Sequence, residues 1–262
     1  MASKLIKQTV LAAAVALASQ AAFAASTISA TYLGAAYGFS SGSISPGPNG
    51  NGTSVSIGAF KMRNTTPNDY EFADPSSNVS IADEFVAWCV DPSHWLKTSY
   101  TYNVGGKSEM NTAFGAARVN NLQALANQRY SLLSDNLNNT VESAAFQLAA
   151  WTILYGSDGT DADSFLDFKQ NQGSTFQAWA LNGTVSSLAS SWLSQLGTAQ
   201  ATGNYKMHYL YDNFAFQQSS SSASQDLVTF TVNPVPLPAA AWLFGSALLG
   251  FMGWSRRKSA GL

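Results

Sequence analysis

The only cysteine of the sequence ends an apolar run, Phe85-Val86-Ala87-Trp88-Cys89-Val90-Asp91-Pro92. Apolar and aromatic side chains dominate residues 84–90, and this composition predicts a β-strand that ends close to the cysteine. A single cysteine cannot form an intramolecular disulfide bond. Cys89 is therefore a buried thiol, half of an intermolecular disulfide, or a reactive group.

Other strands are predicted mostly towards the two ends of the chain. They show alternation or β-branched and aromatic residues, and they cover residues 27–32, 54–62, 99–104, 205–211 and 227–232. Residues 40–52 are rich in Ser, Gly, Pro and Asn, so we expect an exposed, mobile loop there.

The middle of the sequence is predicted to be helical. One helix starts at the cap residue Thr140 and ends at Gly156. Its apolar positions follow the 3.6-residue repeat: Val141, Ala145, Leu148, Thr152 and Tyr155. A second helix, capped by Thr184, has a one-sided stripe before Gly197: Val185, Leu188, Ala189, Trp192, Leu193 and Leu196.

A third helix is predicted over residues 112–133. We expect Trp151 and Trp192 to pack in the core rather than line a ligand groove. Strands, then helices, then strands predict an α+β domain, a β-sandwich or barrel-like set of strands with a helical insertion.

The N-terminal residues 1–24 have the three parts of a secretory signal peptide. Lys4 and Lys7 form the charged start, residues 9–18 the apolar core, and Ala22-Phe23-Ala24 the small-residue cleavage site. This pattern predicts export by the Sec machinery. The exported domain would then cover residues 25–232.

Residues 233–262 combine a proline motif, an apolar helix and a basic end. The motif is Val235-Pro236-Leu237-Pro238, and its prolines favour an extended backbone that a protease can hold. Residues 239–254 carry no charge and reach about 24 Å as a helix, which predicts a single, marginal transmembrane helix. Arg256-Arg257-Lys258 would stop transfer and stay cytoplasmic.

These three parts resemble the PEP-CTERM sorting signal of exosortase substrates. The resemblance implies a membrane-held intermediate, cleavage near the prolines by an exosortase, and release or transfer to the cell surface or extracellular space. It also implies a link to exopolysaccharide and biofilm. A plain membrane anchor is the alternative, although it does not explain the Pro-Leu-Pro segment.

The composition argues against a nucleic-acid-binding protein. The sequence has 13 basic and 15 acidic residues, and five of the basic ones lie in the two terminal signals. The exported part is therefore acidic and has no basic run to bind phosphates. Only 11% of residues are charged, and a surface of small uncharged polar groups is typical of an extracellular protein.

Three segments of the exported part resemble, in order, the thioester domains of bacterial surface adhesins. They are Trp88-Cys89-Val90, Phe146-Gln147-Leu148-Ala149-Ala150-Trp151 and Gln225-Asp226-Leu227-Val228. The resemblance spans most of residues 27–232. It implies that the sulfur of Cys89 is acylated by the side chain of Gln225 with loss of ammonia, and that Gln147 lines the site.

Other candidate residues do not form a catalytic set. Asp158, Asp161 and Asp163 offer oxygen ligands, but their spacing is not that of the helix-loop-helix calcium site. Adjacent Asp83 and Glu84 would point to opposite faces of a strand, which does not suit sugar hydrolysis. We therefore expect no enzyme activity, no metal and no cofactor.

His94 and His208 are the only histidines. His94 lies too close in sequence to Cys89 to indicate a catalytic pair, because such partners normally converge from separate parts of a fold.

Three function classes follow. The first is an exported surface or matrix protein without turnover chemistry, whose partners are the exosortase and a surface polymer. The second is a covalent adhesin that uses a Cys89–Gln225 thioester to attach to amines or hydroxyls on a target. A hydrolase acting through Glu84 or Asp91 is the least favoured.

Overall fold

The computed structural model describes residues 26–45, 47–49, 52–66, 83–135, 139–156, 176–196, 205–212 and 222–232. The signal peptide predicted for residues 1–24 and the sorting signal predicted for residues 233–262 lie outside these ranges. Within them, no helix combines the length and apolar character that a membrane span requires.

The described residues form an α+β domain. Its strands are β1 (Ser26–Ala35), β2 (Ser40–Ser45), β3 (Thr53–Ile57), β4 (Phe60–Asn64), β5 (Glu84–Cys89), β6 (Ser99–Gly105), β7 (Gln177–Trp179), β8 (Tyr205–Tyr211) and β9 (Leu227–Val232). Its helices are α1 (Lys107–Phe114), α2 (Ala116–Asp135), α3 (Thr140–Tyr155) and α4 (Gly183–Ser194).

Six of these strands close into an antiparallel barrel in the order β1-β4-β5-β9-β8-β6, with β6 pairing back onto β1. The sequence-based expectation of barrel-like strands with a helical insertion is therefore confirmed for the described residues. In β4, burial alternates, as expected for a strand with one face on the core. All six residues of β5 are buried, because this strand is covered on both faces.

The remaining described strands form a second sheet, β3-β2-β7. The prediction of a loop over residues 40–52 was wrong for residues 40–45, which form β2 and pair with both neighbours. The sequence did not predict this strand because glycine has a low β-propensity and serine is common in loops. Gly42 packs closely there, since a Cβ at this position would lie 2.6 Å from a terminal methyl group of Ile57 and 2.7 Å from one of Leu181, so these side chains would have to shift.

Two elements predicted as continuous are interrupted at glycines. The strand predicted over residues 54–62 is two strands, separated at Gly58, whose φ of 149° is open to glycine alone. The helix predicted over residues 112–133 is α1 followed by α2, separated at Gly115 with φ of 87°. A positive φ turns the backbone away from the regular strand or helix at these two glycines. The periodic spacing of apolar residues does not reveal this interruption.

Asparagine, not threonine, caps the two best predicted helices. The Asn139 side chain accepts a hydrogen bond from the Glu142 amide at 3.0 Å, and Asn182 accepts one from Thr184 at 2.9 Å. Thr140, which was predicted to cap α3, instead donates its hydroxyl to the carbonyl of Tyr37. The predicted end of α3 at Gly156 is confirmed.

Helix α3 is the centre of the core. Every residue from Ser143 to Tyr155 is buried, so the helix is covered on all faces rather than along one stripe. It packs between α2, α4 and the strands, and the Phe146 ring lies 4.4 Å from that of Trp88 on β5. Trp151 and Trp192 are buried, as predicted.

Replacement of Phe146 tests the importance of this contact. We expect Phe146→Ala to lower the free energy of unfolding by about 3–5 kcal/mol, because the surrounding rings cannot fill the cavity. Urea denaturation followed by tryptophan fluorescence measures the change. Leu33→Ala removes a partly exposed apolar side chain from β1 and should change the stability by less than about 0.5 kcal/mol. Equal losses for the two variants would contradict this assignment of the core.

Candidate functional site

The side chain of Gln147 holds the backbone of Cys89 at both of its polar groups. The Cys89 amide donates to Gln147 Oε1 at 3.0 Å, and Gln147 Nε2 donates to the Cys89 carbonyl at 2.7 Å. Both residues are almost completely buried. The side-chain amide of Gln147 therefore pairs with the backbone N–H and carbonyl of Cys89, as a residue of a neighbouring strand does in a β-sheet. This pairing attaches the end of β5 to α3.

The strand register brings Cys89 close to Gln225. Cys89 lies directly opposite Leu227 in the antiparallel β5–β9 pair, and the Val90 amide extends the pairing by donating to the Asp226 carbonyl at 2.9 Å. Gln225 lies just before β9, where continued alternation would place its side chain on the face of Leu227, diagonally across from Cys89. Long side chains reach such diagonal neighbours.

The two residues next to Gln225 in the chain, Ser224 and Asp226, are held by hydrogen bonds. The Ser224 hydroxyl lies 2.9 Å from the Tyr102 hydroxyl and accepts from the Lys97 amide, and Asp226 accepts from the Tyr209 hydroxyl at 2.6 Å. Gln225 is itself buried, yet its Oε1 atom has no hydrogen-bond partner among the described residues. A buried amide oxygen left unpaired costs free energy, and such a group calls for a functional explanation.

Cys89, Gln147 and Gln225 all line one cavity of about 550 Å³. Trp151 of α3 forms part of the same wall, so this tryptophan is both buried and in contact with a ligand-sized space. The three residues from the adhesin-like segments thus converge from a strand, a helix and the segment before another strand. A shared cavity is the arrangement that chemistry between their side chains would require.

The environment of the Cys89 sulfur disfavours its charged form. Burial, followed by the nearby Asp91 carboxylate, raises the thiol pKa well above its ordinary value. The nearby Trp151 indole lowers the Cys89 pKa and so opposes this shift in part. Its Nε1 atom nevertheless makes no hydrogen bond of ordinary geometry with the described residues. The raised pKa keeps the free Cys89 side chain as a neutral thiol at neutral pH.

The arrangement allows one specific reaction. Attack of the Cys89 sulfur on the Gln225 side-chain carbonyl carbon would break the carbon–nitrogen bond and release ammonia, which takes the thiol proton. The product would be a thioester within the chain. Proximity would favour this step because both groups line one cavity and lie on paired segments of the chain.

Two other candidates from the sequence have structural roles. Glu84 forms ion pairs with Lys61 at 2.8 Å and Arg63 at 2.7 Å, and the hydrogen bonds from these two side chains lower the pKa of its carboxyl group. His94 Nδ1 lies 2.5 Å from Asp91 Oδ2. Neither Glu84 nor His94 lines the cavity.

The candidate calcium ligands Asp158, Asp161 and Asp163 lie outside the described residues. Within those residues, no group of three His, Cys, Asp or Glu side chains converges as a metal site.

The sequence did not predict that Asp226, a carboxylic acid close to Cys89, would be buried. Asp226 lies beside Gln225, and burial raises the pKa of its carboxyl group from 3.8 to about 7. The hydrogen bonds from Tyr209 and from the Asp212 amide oppose the shift without cancelling it. No local pattern indicates such a group, because the residues that bury it are distant in sequence.

No family model and no curated protein matches this sequence. Among solved structures, the chain is similar to the N-terminal thioester domain of fibronectin-binding protein SfbI from Streptococcus pyogenes. The identity is 11%, the alignment covers 65% of this chain and 84% of that domain, and the TM-score is 0.38. The case for a site at Cys89 rests on the geometry described above.

The hydrogen bonds of Gln147 can be tested by a near-isosteric replacement. We expect Gln147→Met to lower the free energy of unfolding by about 2–4 kcal/mol, because two buried backbone groups of Cys89 lose their partners. Gln128→Met, at a partly exposed glutamine of α2 whose Nε2 donates a long, exposed hydrogen bond to the Gln195 carbonyl at 3.4 Å, should change it by less than about 0.5 kcal/mol. Urea denaturation measures both. A stable Gln147→Met variant would show that Gln147 does not hold β5.

Asp226 should make the stability depend on pH. Its pKa is higher in the folded chain than in the unfolded chain, so the folded state binds more protons between pH 3.8 and about 7. Stability should therefore fall as the pH rises through this range. Asp226→Asn should remove the fall in stability that Asp226 causes. The contributions of Asp91 and Glu84 to the pH dependence should remain in both the variant and the original protein. Thermal unfolding over this pH range measures the difference, and parallel curves would contradict it.

Proposed function

We propose that this chain is an exported surface protein that carries a thioester between Cys89 and Gln225 and uses it to attach covalently to a target. The observation that supports this most strongly is the placement of Gln225. Its side chain is buried, its Oε1 atom has no hydrogen-bond partner among the described residues, and it lines the same cavity as Cys89.

Attachment follows from the chemistry of the acyl group. A nucleophile on the target attacks the Gln225 carbonyl carbon, the bond to sulfur breaks, and Cys89 is restored as a thiol. The target remains joined to Gln225 by an amide or ester bond. The acyl group is consumed in this step, so each molecule reacts once. The protein is then a covalent adhesin rather than an enzyme, and the reaction needs no cofactor.

The two ends of the sequence support the proposed location. Residues 1–24 would direct export through the Sec machinery, and residues 239–254 would hold the chain in the membrane. Val235-Pro236-Leu237-Pro238 and Arg256-Arg257-Lys258 would then be read by an exosortase. Cleavage near the prolines would pass the protein to the cell surface or the extracellular matrix.

The intact mass of the exported protein tests both proposals. A thioester predicts a mass short by one ammonia, which methylamine treatment raises by one methylamine. Gln225→Glu is a matched control, since its side chain keeps the same size but has no ammonia to lose. Cys89→Ala should show neither change.

The same spectrum locates the C-terminus, and we expect it near Pro236–Pro238. A full mass with a titratable Cys89 thiol would contradict the thioester. A mass that still includes residues 239–262 would contradict cleavage near the prolines.

A further inference from the structure

The cavity beside Cys89 is polar without being charged. Among the described residues that line it, none has a charged side chain, and the lining combines serine hydroxyls with aromatic rings. Most binding sites for charged ligands place at least one opposite charge against the ligand, because desolvating an unpaired charge is costly. The lining therefore favours a neutral ligand.

One wall of the cavity is an array of four hydroxyls. Ser41 lies directly opposite Ser56, and Ser43 directly opposite Ser54, in the β2–β3 ladder. The two pairs are separated by one residue along each strand, so all four side chains lie on the same face. All four line the cavity, and each hydroxyl both donates and accepts hydrogen bonds.

The rest of the lining includes an aromatic surface. The rings of Tyr32 and Phe39 each pack edge-on against Phe60, at 5.7 and 5.9 Å. Trp95 lies at the same cavity with 50% of its surface exposed, and its indole N–H donates to Asn49 at 3.4 Å. A half-exposed indole at the cavity offers a flat apolar face to a ligand.

We propose that the target of the thioester is a neutral carbohydrate chain, one of whose hydroxyls takes the acyl group from Gln225. This rests on the function proposed above and specifies its substrate. A sugar ring has apolar C–H faces and an edge of hydroxyls. The cavity offers aromatic faces and a hydroxyl array on which both parts of such a ring can bind.

A lysine side chain fits this cavity less well. Lysine is an ammonium ion at neutral pH, and it must lose both its proton and its hydration shell to react. Asp91 and Asp226, which are close in sequence to Cys89 and Gln225, do not line the cavity. They are already bonded to His94 and to Tyr209.

The transfer step balances without another reactant. The sugar oxygen attacks the Gln225 carbonyl carbon, an ester bond forms, and the carbon–sulfur bond breaks. The leaving sulfur takes the hydroxyl proton, so the products are a neutral ester and a neutral Cys89 thiol. The burial that raises the thiol pKa favours this protonated product.

Competition between nucleophiles tests the proposal on the full exported protein. The protein is incubated separately with methylamine, with a panel of neutral glucose, galactose and mannose oligosaccharides, and with lysine-containing peptides. Intact mass and peptide mapping then count the adducts at residue 225. Methylamine is also an ammonium ion at neutral pH, so it is supplied in large excess, as a positive control for the thioester. We expect adducts with methylamine and with at least one oligosaccharide, and slower attachment of the lysine peptides than of that oligosaccharide at equal concentration.

Two cavity variants sharpen the test. Trp95→Ala should lower the rate of oligosaccharide attachment relative to that of methylamine by about tenfold, because one stacking face is lost. Leu33→Ala, an exposed apolar residue away from the cavity, should leave that ratio unchanged. Ser41→Asp should shift the preference towards lysine peptides by adding a carboxylate to the wall.

The possible failures can be told apart. A mass with no loss of ammonia would overturn the thioester and this proposal with it. A methylamine adduct together with preferred attachment of lysine peptides would overturn the carbohydrate assignment alone. So would a methylamine adduct with no oligosaccharide adduct from any member of the panel.

Discussion

The paired hydrogen bonds between Gln147 and the backbone of Cys89 connect the two halves of this domain. They join the barrel, through the end of β5, to the helix around which the core is built. The adjacent contact of Phe146 with Trp88 strengthens the same connection by ring packing. Because the cysteine backbone is held at both polar groups, its side chain has a fixed position relative to β9. The approach of Gln225 depends on that fixed position.

A buried thiol with a raised pKa is usually inert, since the thiolate is the reactive form. At this site the same burial favours a neutral sulfur, as a thiol or in the proposed thioester, over the thiolate. Asp91 and Asp226 increase the effect by placing negative charge nearby. The proposed chemistry therefore relies on proximity, with Gln225 fixed by the anchored residues Ser224 and Asp226 on either side.

Sequence patterns predicted the elements in which one local rule dominates. The apolar run at residues 84–89 is β5, and four residues of the predicted stripe, Val185, Ala189, Trp192 and Leu193, form the buried face of α4. These sequence patterns gave the wrong secondary structure where pairing with distant residues overrides the local conformational preference of the residues. Residues 40–45 form a strand because β3 and β7 pair with them, although serine and glycine favour a loop. Gly58 and Gly115 interrupt elements because the fold requires a positive φ there.

The sequence by itself determined the α+β class, the strand that carries Cys89, and the three segments that contain Cys89, Gln147 and Gln225. Their residue types set the reaction that is chemically available. Only the tertiary structure decided that the three side chains share a cavity, that Gln225 Oε1 is unpaired, and that four serines face the same space. Strand register and burial depend on pairings between residues far apart in the chain, and no local sequence pattern encodes those pairings.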